Sequence, residues 1–216
     1  MSHQRRRVGP IDTTSPPLIG LDIETDTSID GLDPRCSPVV ALALSSSAGE
    51  WVFDHEDEAA LLRAADDHIA SLESGVLVTW NGSGFDLPFI TDRAHRLGLT
   101  IGLHTVHDPA LPGQARPLPG HPGRVRGRWH RLAHLDGYQA FRADVGQNLP
   151  ISCGLKSLAR FVGLPVVEVD RTRIHELTAQ QRHDYVASDA RLARALVERR
   201  ADRAAWVDQS PSSRGS

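Results

Sequence analysis

A chain of 216 residues with 40% hydrophobic content can fill the core of one domain and has no need of a second. Its formal net charge of -3 excludes capture of nucleic acid by the overall field, so any such binding must come from a local basic patch. No apolar run is long enough to span a bilayer, and Met1–Arg7 precedes no apolar segment, so a cytoplasmic protein with no membrane attachment is expected.

Residues 1–16 hold a basic cluster followed by prolines and read as a flexible basic arm, either touching phosphate or simply solvated. The domain proper is expected over residues 17–204. It opens with the run Leu18–Thr25, which reads as a strand. Its two-residue repeat puts Asp22 and Glu24 on one face while Leu21 and Ile23 enter the core. Two carboxylates so close repel unless a cation lies between them, although the same pattern also occurs on solvated strand edges.

After a turn-rich stretch, Val39–Leu44 is a strand buried on both faces, and Trp51–Phe53 is a third strand. Acids at 54–57 suit a helix start, with Leu61, Leu62, Ala65, Ile69 and Leu72 at helical spacing. Val76–Trp80 is a buried strand that runs straight into Asn81-Gly82-Ser83-Gly84-Phe85-Asp86-Leu87-Pro88. Pro88 fits a first helical turn, so a helix from about Asp86 to Leu97 is predicted, with Asp86 at a strand-to-helix turn.

From 104 to 131 the pattern dissolves into a Pro/Gly/Arg-rich loop. Arg124, Arg126 and Arg128, with Trp129 beside them, suit phosphate contact and base stacking, or else plain solvation. Leu132–Leu135 forms a short strand ending at Asp136, and Leu155, Leu158, Ala159 and Val162 mark a helix stopped by Gly163. Thr178 and Gln181 have capping-box spacing and open a helix reaching past Val197. Tyr185, Asp189, Leu192 and Leu196 form one stripe of that helix, which sets an acid in an inward row with no basic residue on the stripe to pair it. A metal near Asp22 and Glu24 would supply the partner; a partly exposed Asp189 beside a core tyrosine is the simpler alternative. Residues 205–216 form a flexible Ser-rich tail. Cys36 and Cys153 lack the spacing of a metal or redox motif and are expected as free thiols.

Taken together, Asp22-x-Glu24, Asn81-x-x-x-Phe85-Asp86 and Tyr185-x-x-x-Asp189 resemble, in order and spacing, the three motifs of the DEDD superfamily of 3′–5′ exonucleases. The tyrosine marks the DEDDy branch, since His183 stands one residue too far from Asp189 for the histidine branch. Within it the likeness is to the exonuclease domain of family B DNA polymerases, here without a polymerase domain in the sequence. The resemblance implies a ribonuclease H-like α/β fold, a central mixed five-stranded sheet flanked by helices. It also implies two divalent ions, Mg²⁺ or Mn²⁺, held by Asp22, Glu24, Asp86 and Asp189, with Tyr185 orienting the attacking water.

Ile23, Thr25, Asn81 and Phe85 would then contact the terminal nucleotide, and Arg124, Arg126 and Arg128 the strand behind it. The expected activity releases nucleoside 5′-monophosphates from the 3′ end of single-stranded or frayed nucleic acid, DNA ahead of RNA, with a polymerase or repair protein as a partner in trans. Three alternatives stay open. They are an RNA-trimming exoribonuclease, a non-catalytic nucleic-acid-binding module on the same fold, and a metal-dependent phosphatase for small esters. The intact set of acids and the tyrosine speaks for an enzyme, and the basic segment speaks against the phosphatase.

Overall fold

The computed structural model describes residues 16–200; the remainder of the predicted basic arm and the whole predicted tail lie outside the described residues. Seven strands form one mixed sheet in the order β3-β2-β1-β4-β7-β6-β5. They are β1 (Leu18–Thr25), β2 (Val39–Ser45), β3 (Glu50–Phe53), β4 (Val76–Thr79), β5 (Leu103–His107), β6 (Val125–Trp129) and β7 (Leu132–Asp136). β1 pairs antiparallel with β2 and parallel with β4, and β4 pairs parallel with β7. The carboxyl ends of β1, β4 and β7 therefore share one edge, the place where open α/β sheets collect ligands.

Helices cover both faces. Helices α1 (Glu58–Ser71) and α2 (Asp86–Arg96) pack with Leu21, Ile23, Leu42, Leu44 and Trp129. On the other face, α3 (Gly137–Asn148), α4 (Leu155–Phe161) and α5 (Ala179–Glu198) pack over Leu18, Val76, Val78 and Leu135. Two ties stitch the first face together. Glu58, nearly buried, accepts from the Val39 amide at 2.8 Å and pairs with the Arg93 guanidinium through Nε at 2.9 Å and Nη2 at 2.5 Å. Asp66 Oδ1 accepts from Trp129 Nε1 at 2.6 Å and the Gly102 amide at 2.8 Å, which moors β6 to α1. Cys36 and Cys153 are free.

The ribonuclease H-like architecture agrees with expectation, with one correction in strand number. The five expected strands are present as β1, β2, β3, β4 and β7, and the hairpin β5–β6 adds two more at one edge. The segment expected as loop over 104–131 is therefore partly sheet, with the irregular stretch confined between β5 and β6. Its arginines conceal a two-residue repeat: in Val125-Arg126-Gly127-Arg128-Trp129, Val125 and Trp129 are buried and Arg128 is exposed.

Candidate active site

The first two acids are set by β1. Leu21 and Ile23 are buried, while Asp22 and Glu24 alternate with them and are half-buried. Gly20 belongs to the same face as the acids. A Cβ there would stand 1.9 Å from the Ala190 carbonyl oxygen, so only glycine lets α5 lie this close to β1. Ala41 and Ala43 of β2 extend this close seat toward Val186 and Ala190. The consequence is that Asp189, only 2% exposed, is pressed into the neighbourhood of Asp22 and Glu24. Asp86 arrives from a third element as the first residue of α2, beyond the carboxyl end of β4, and is likewise buried.

The four carboxylates feel one another. Burial pushes the Asp22 carboxyl well above its usual range, and the charges of Asp189, Glu24 and Asp86 push it further. Burial and then Asp189 raise Glu24 to about 8. Asp86 rises to about 7 through burial, held back by hydrogen bonds from its own amide and that of Ile23 and pushed up by the charge of Asp136. Asp189 is raised by burial against the opposing pull of Lys156 and Arg171.

Those two cations are residues that sequence reasoning missed. Lys156 Nζ, from α4, stands 3.5 Å from Asp189 Oδ2 and 3.9 Å above the Tyr185 ring. Arg171 opens a short 3₁₀ helix, Arg171–Glu176; its Nη2 lies 3.6 Å from Asp189 Oδ2 and its Nε donates to the Tyr185 hydroxyl at 2.9 Å. Tyr185 is buried, and burial drives its phenol far above the ordinary range, so it keeps its proton. The only sequence signal for either cation was that Lys156 is the sole lysine.

Whether these residues suit divalent ions is answered by their chemistry. No three His, Cys, Asp or Glu among the described residues stand as a ready-made ligand cage. Yet Asp189 Oδ1 is buried with no hydrogen-bond partner, which costs free energy unless something electropositive meets it. Hard carboxylate oxygens are the ligand type that Mg²⁺ and Mn²⁺ prefer. The residues fit such ions.

The expected substrate contacts fall into two groups. Near the acids, the Thr25 hydroxyl donates to the Gly31 carbonyl at 2.6 Å, and Phe85 is partly buried with its ring 5.3 Å from that of Phe89. Asn81 has a left-handed backbone, φ 75°, and its Oδ1 accepts from Arg124 Nη1 at 2.7 Å. Arg124 itself is buried, and its Nε donates to the Pro112 carbonyl at 3.0 Å. Farther out, Arg126 pairs with Asp108, and exposed Arg128 donates through Nε to the His130 carbonyl at 2.9 Å. Of these arginines, Arg124 is engaged inside the protein and Arg128 is the most exposed.

A mixed sheet flanked by helices, with carboxylates from its first strand, from the turn that leads its fourth strand into a helix and from its last helix brought to one edge, is a ribonuclease H-like domain. Residues 33–150 match the family model described as the exonuclease domain of DNA polymerase family B, and the chain belongs to that family. The matched stretch contains Asp86; Asp22, Glu24, Tyr185 and Asp189 flank it. Exonuclease domains of this family in general use divalent metals.

Among curated proteins, the chain is 31% identical over 102 residues to DNA polymerase 2 of Aeropyrum pernix, covering 44% of this chain and 13% of that protein. It is 28% identical over 88 residues to DNA polymerase 3 of Saccharolobus shibatae, covering 39% of this chain and 12% of that one. Among solved structures, the family B DNA polymerase of Pyrobaculum calidifontis superposes with a TM-score of 0.64 at 25% identity over 85% of this chain. The present chain spans about a quarter of that polymerase, 24%.

Proposed function

We propose that this chain is a metal-dependent 3′–5′ exonuclease that releases nucleoside 5′-monophosphates from single-stranded or frayed DNA. The observation that carries this reading is the convergence of Asp22, Glu24, Asp86 and Asp189 from three separate elements, with one buried carboxylate oxygen left unpartnered. Membership of a DNA polymerase family supports DNA over RNA, and the polymerase relatives point to a polymerase, in cis or in trans, as the source of frayed 3′ ends.

In this reading the four acids hold two Mg²⁺ or Mn²⁺ ions. When bound, such a pair stabilises the attacking and leaving oxygens of an in-line displacement at phosphorus. Tyr185 keeps its hydroxyl protonated at any working pH and orients the incoming water. Arg171 is exposed beside the acids, with Nη2 3.6 Å from Asp189 Oδ2, where its guanidinium would also reach a phosphate bound at the site. Lys156, half-buried under α5, stays to fix Tyr185 through its ring face. Arg124 acts within the protein as a staple for the Asn81 turn, while Arg128 is left for the strand.

The test compares 3′-labelled single-stranded DNA, mismatched duplex and RNA of one sequence, with and without EDTA. Mononucleotide release from DNA that stops in EDTA and returns with Mg²⁺ or Mn²⁺ is expected. Tyr185→Phe should lower kcat by about 10-fold to 10³-fold with little change in KM, as for loss of one positioning contact. Undiminished hydrolysis in EDTA, or no release from any 3′ end, would sink the proposal; faster trimming of RNA would move the substrate class.

A further inference from the structure

The acid that the proposed chemistry leaves without a role is Asp136. It ends β7, paired in register with Thr79 at the end of β4, and so stands directly beside the turn that delivers Asp86. Its Oδ1 accepts from the Asn81 amide at 3.0 Å and, as the cap of α3, from the Gln139 amide at 3.3 Å. Its Oδ2 accepts from the Ser83 amide at 3.1 Å and from the Ser83 hydroxyl. Both oxygens are therefore filled by donors, three of the four from one turn. In that respect Asp136 is the opposite of Asp189.

The turn needs holding. Asn81 sits in the left-handed region, which is uncommon for a non-glycine residue and persists only where surrounding contacts fix it. From there the backbone closes on itself, with the Phe85 amide bonded to the Asn81 carbonyl at 3.1 Å and the Leu87 amide to that of Gly82 at 3.0 Å. Arg124 grips the other side through Asn81 Oδ1 at 2.7 Å and Ser83 Oγ at 3.3 Å, and the Val125 amide donates to the Ser83 carbonyl at 2.8 Å. The Gly82 amide donates to Thr79 Oγ1 at 3.1 Å. Asp86 is the next residue but one after Gly84, so an error in this turn is passed to its carboxylate almost undamped.

We infer that Asp136 is a positioning residue for the exonuclease reaction: it clamps the Asn81–Phe85 turn from the sheet side and thereby sets where Asp86 presents its oxygens to a divalent ion. The inference rests on the exonuclease reading. Asparagine cannot replace this aspartate, because its amide nitrogen would turn a donor against one of the backbone amides that Asp136 now accepts from. Partners that orient a metal ligand commonly change metal affinity or activity by 10-fold to 100-fold when removed.

The decisive experiment places Asp136→Asn and Ser83→Ala beside wild type and Glu58→Gln, whose altered acid lies under the opposite face in the Arg93 tie. Mn²⁺ is titrated against melting temperature, and kcat and KM are measured on 3′-labelled single-stranded DNA at several Mn²⁺ concentrations. Asp136→Asn should weaken Mn²⁺ binding and lower kcat by about 10-fold to 100-fold with KM nearly unchanged. Ser83→Ala should shift both in the same direction by a smaller factor, and it carries the test if Asp136→Asn fails to fold. Glu58→Gln should melt earlier yet keep wild-type Mn²⁺ affinity and kcat.

Wild-type Mn²⁺ affinity and kcat in Asp136→Asn, or losses that Glu58→Gln reproduces at equal melting temperature, would overturn the inference alone. If Asp136→Asn does not fold, an unchanged Ser83→Ala would overturn it equally. A wild-type protein that releases nothing from any 3′ end would overturn the exonuclease reading and this inference with it.

Discussion

What separates the molecule's two sets of low-exposure acids is the supply of donors, since both are largely withdrawn from water. On the α1–α2 side, Glu58 and Asp66 are met by Arg93, the Val39 amide, Trp129, His130 and the Gly102 amide. At the carboxyl edge of the sheet, Asp22, Glu24, Asp86 and Asp189 chiefly meet one another, with Lys156 and Arg171 at 3.5 and 3.6 Å as incomplete compensation. A saturated carboxylate holds the fold; an unsaturated cluster is kept at a cost in stability that only binding or catalysis explains.

The sharpest way to break this contrast is to remove one acid from each set. Asp22→Asn takes away the group that feels all three other acids, and it should lower turnover of 3′-labelled DNA by about 10³-fold or more while leaving the melting temperature unchanged or raised, since repulsion is relieved. Glu58→Gln should do the reverse. It strands the Arg93 guanidinium, which is only 13% exposed, and should cost about 2–3 kcal/mol of stability with turnover per folded molecule retained. A stability loss in Asp22→Asn equal to that in Glu58→Gln would erase the distinction between the two sets.

A gentler probe is pH. In EDTA the Glu24 carboxyl has its folded value raised to about 8 from 4.5, and Asp86 to about 7 from 3.8. Groups raised on folding bind protons more tightly in the native state. Their contribution is complete below the unfolded values and is lost as pH rises through the folded ones. The metal-free protein should therefore lose stability between about pH 5 and 8, by on the order of a few kcal/mol, and divalent ion should flatten that slope. A melting temperature in EDTA that is level across this window would mean that the acids are already neutralised by Lys156 and Arg171.

The contrast also explains what could be read from the chain before folding. Asp22 and Glu24 were legible because a strand repeats every two residues, and Tyr185 and Asp189 because a capped helix repeats at four, so local geometry alone placed each pair. Strands β1, β2, β3, β4 and β7 were legible from apolar runs. β6 was not, because its alternation is carried by Arg126 and Arg128 against Val125, Gly127 and Trp129, and charge with glycine masks a strand. Lys156, Arg171 and Asp136 acquire their roles only when α4, the 3₁₀ helix and β7 close on distant partners, which no local spacing records.

The smallest expected effect concerns the arginines of the hairpin. Arg124 is buried under the Asn81 turn, and β6 then carries Arg128 about 13 Å farther along at roughly 3.3 Å per residue, toward Asp66 and the saturated set. Arg128 is exposed, and its bond from Nε to the His130 carbonyl leaves the outer nitrogens of the guanidinium fork to meet a phosphate. A single phosphate contact remote from the reacting bond acts equally on ground state and transition state. Arg128→Ala should therefore raise KM by about twofold at low salt, leave kcat unchanged, and reduce the salt slope of KM by about one unit or less. Arg124→Ala should instead lower kcat, because the turn that presents Asp86 loses its second grip. If Arg128→Ala lowered kcat while Arg124→Ala changed only KM and its salt slope, the strand would run along the Asn81 turn and the two arginines would exchange the roles assigned to them.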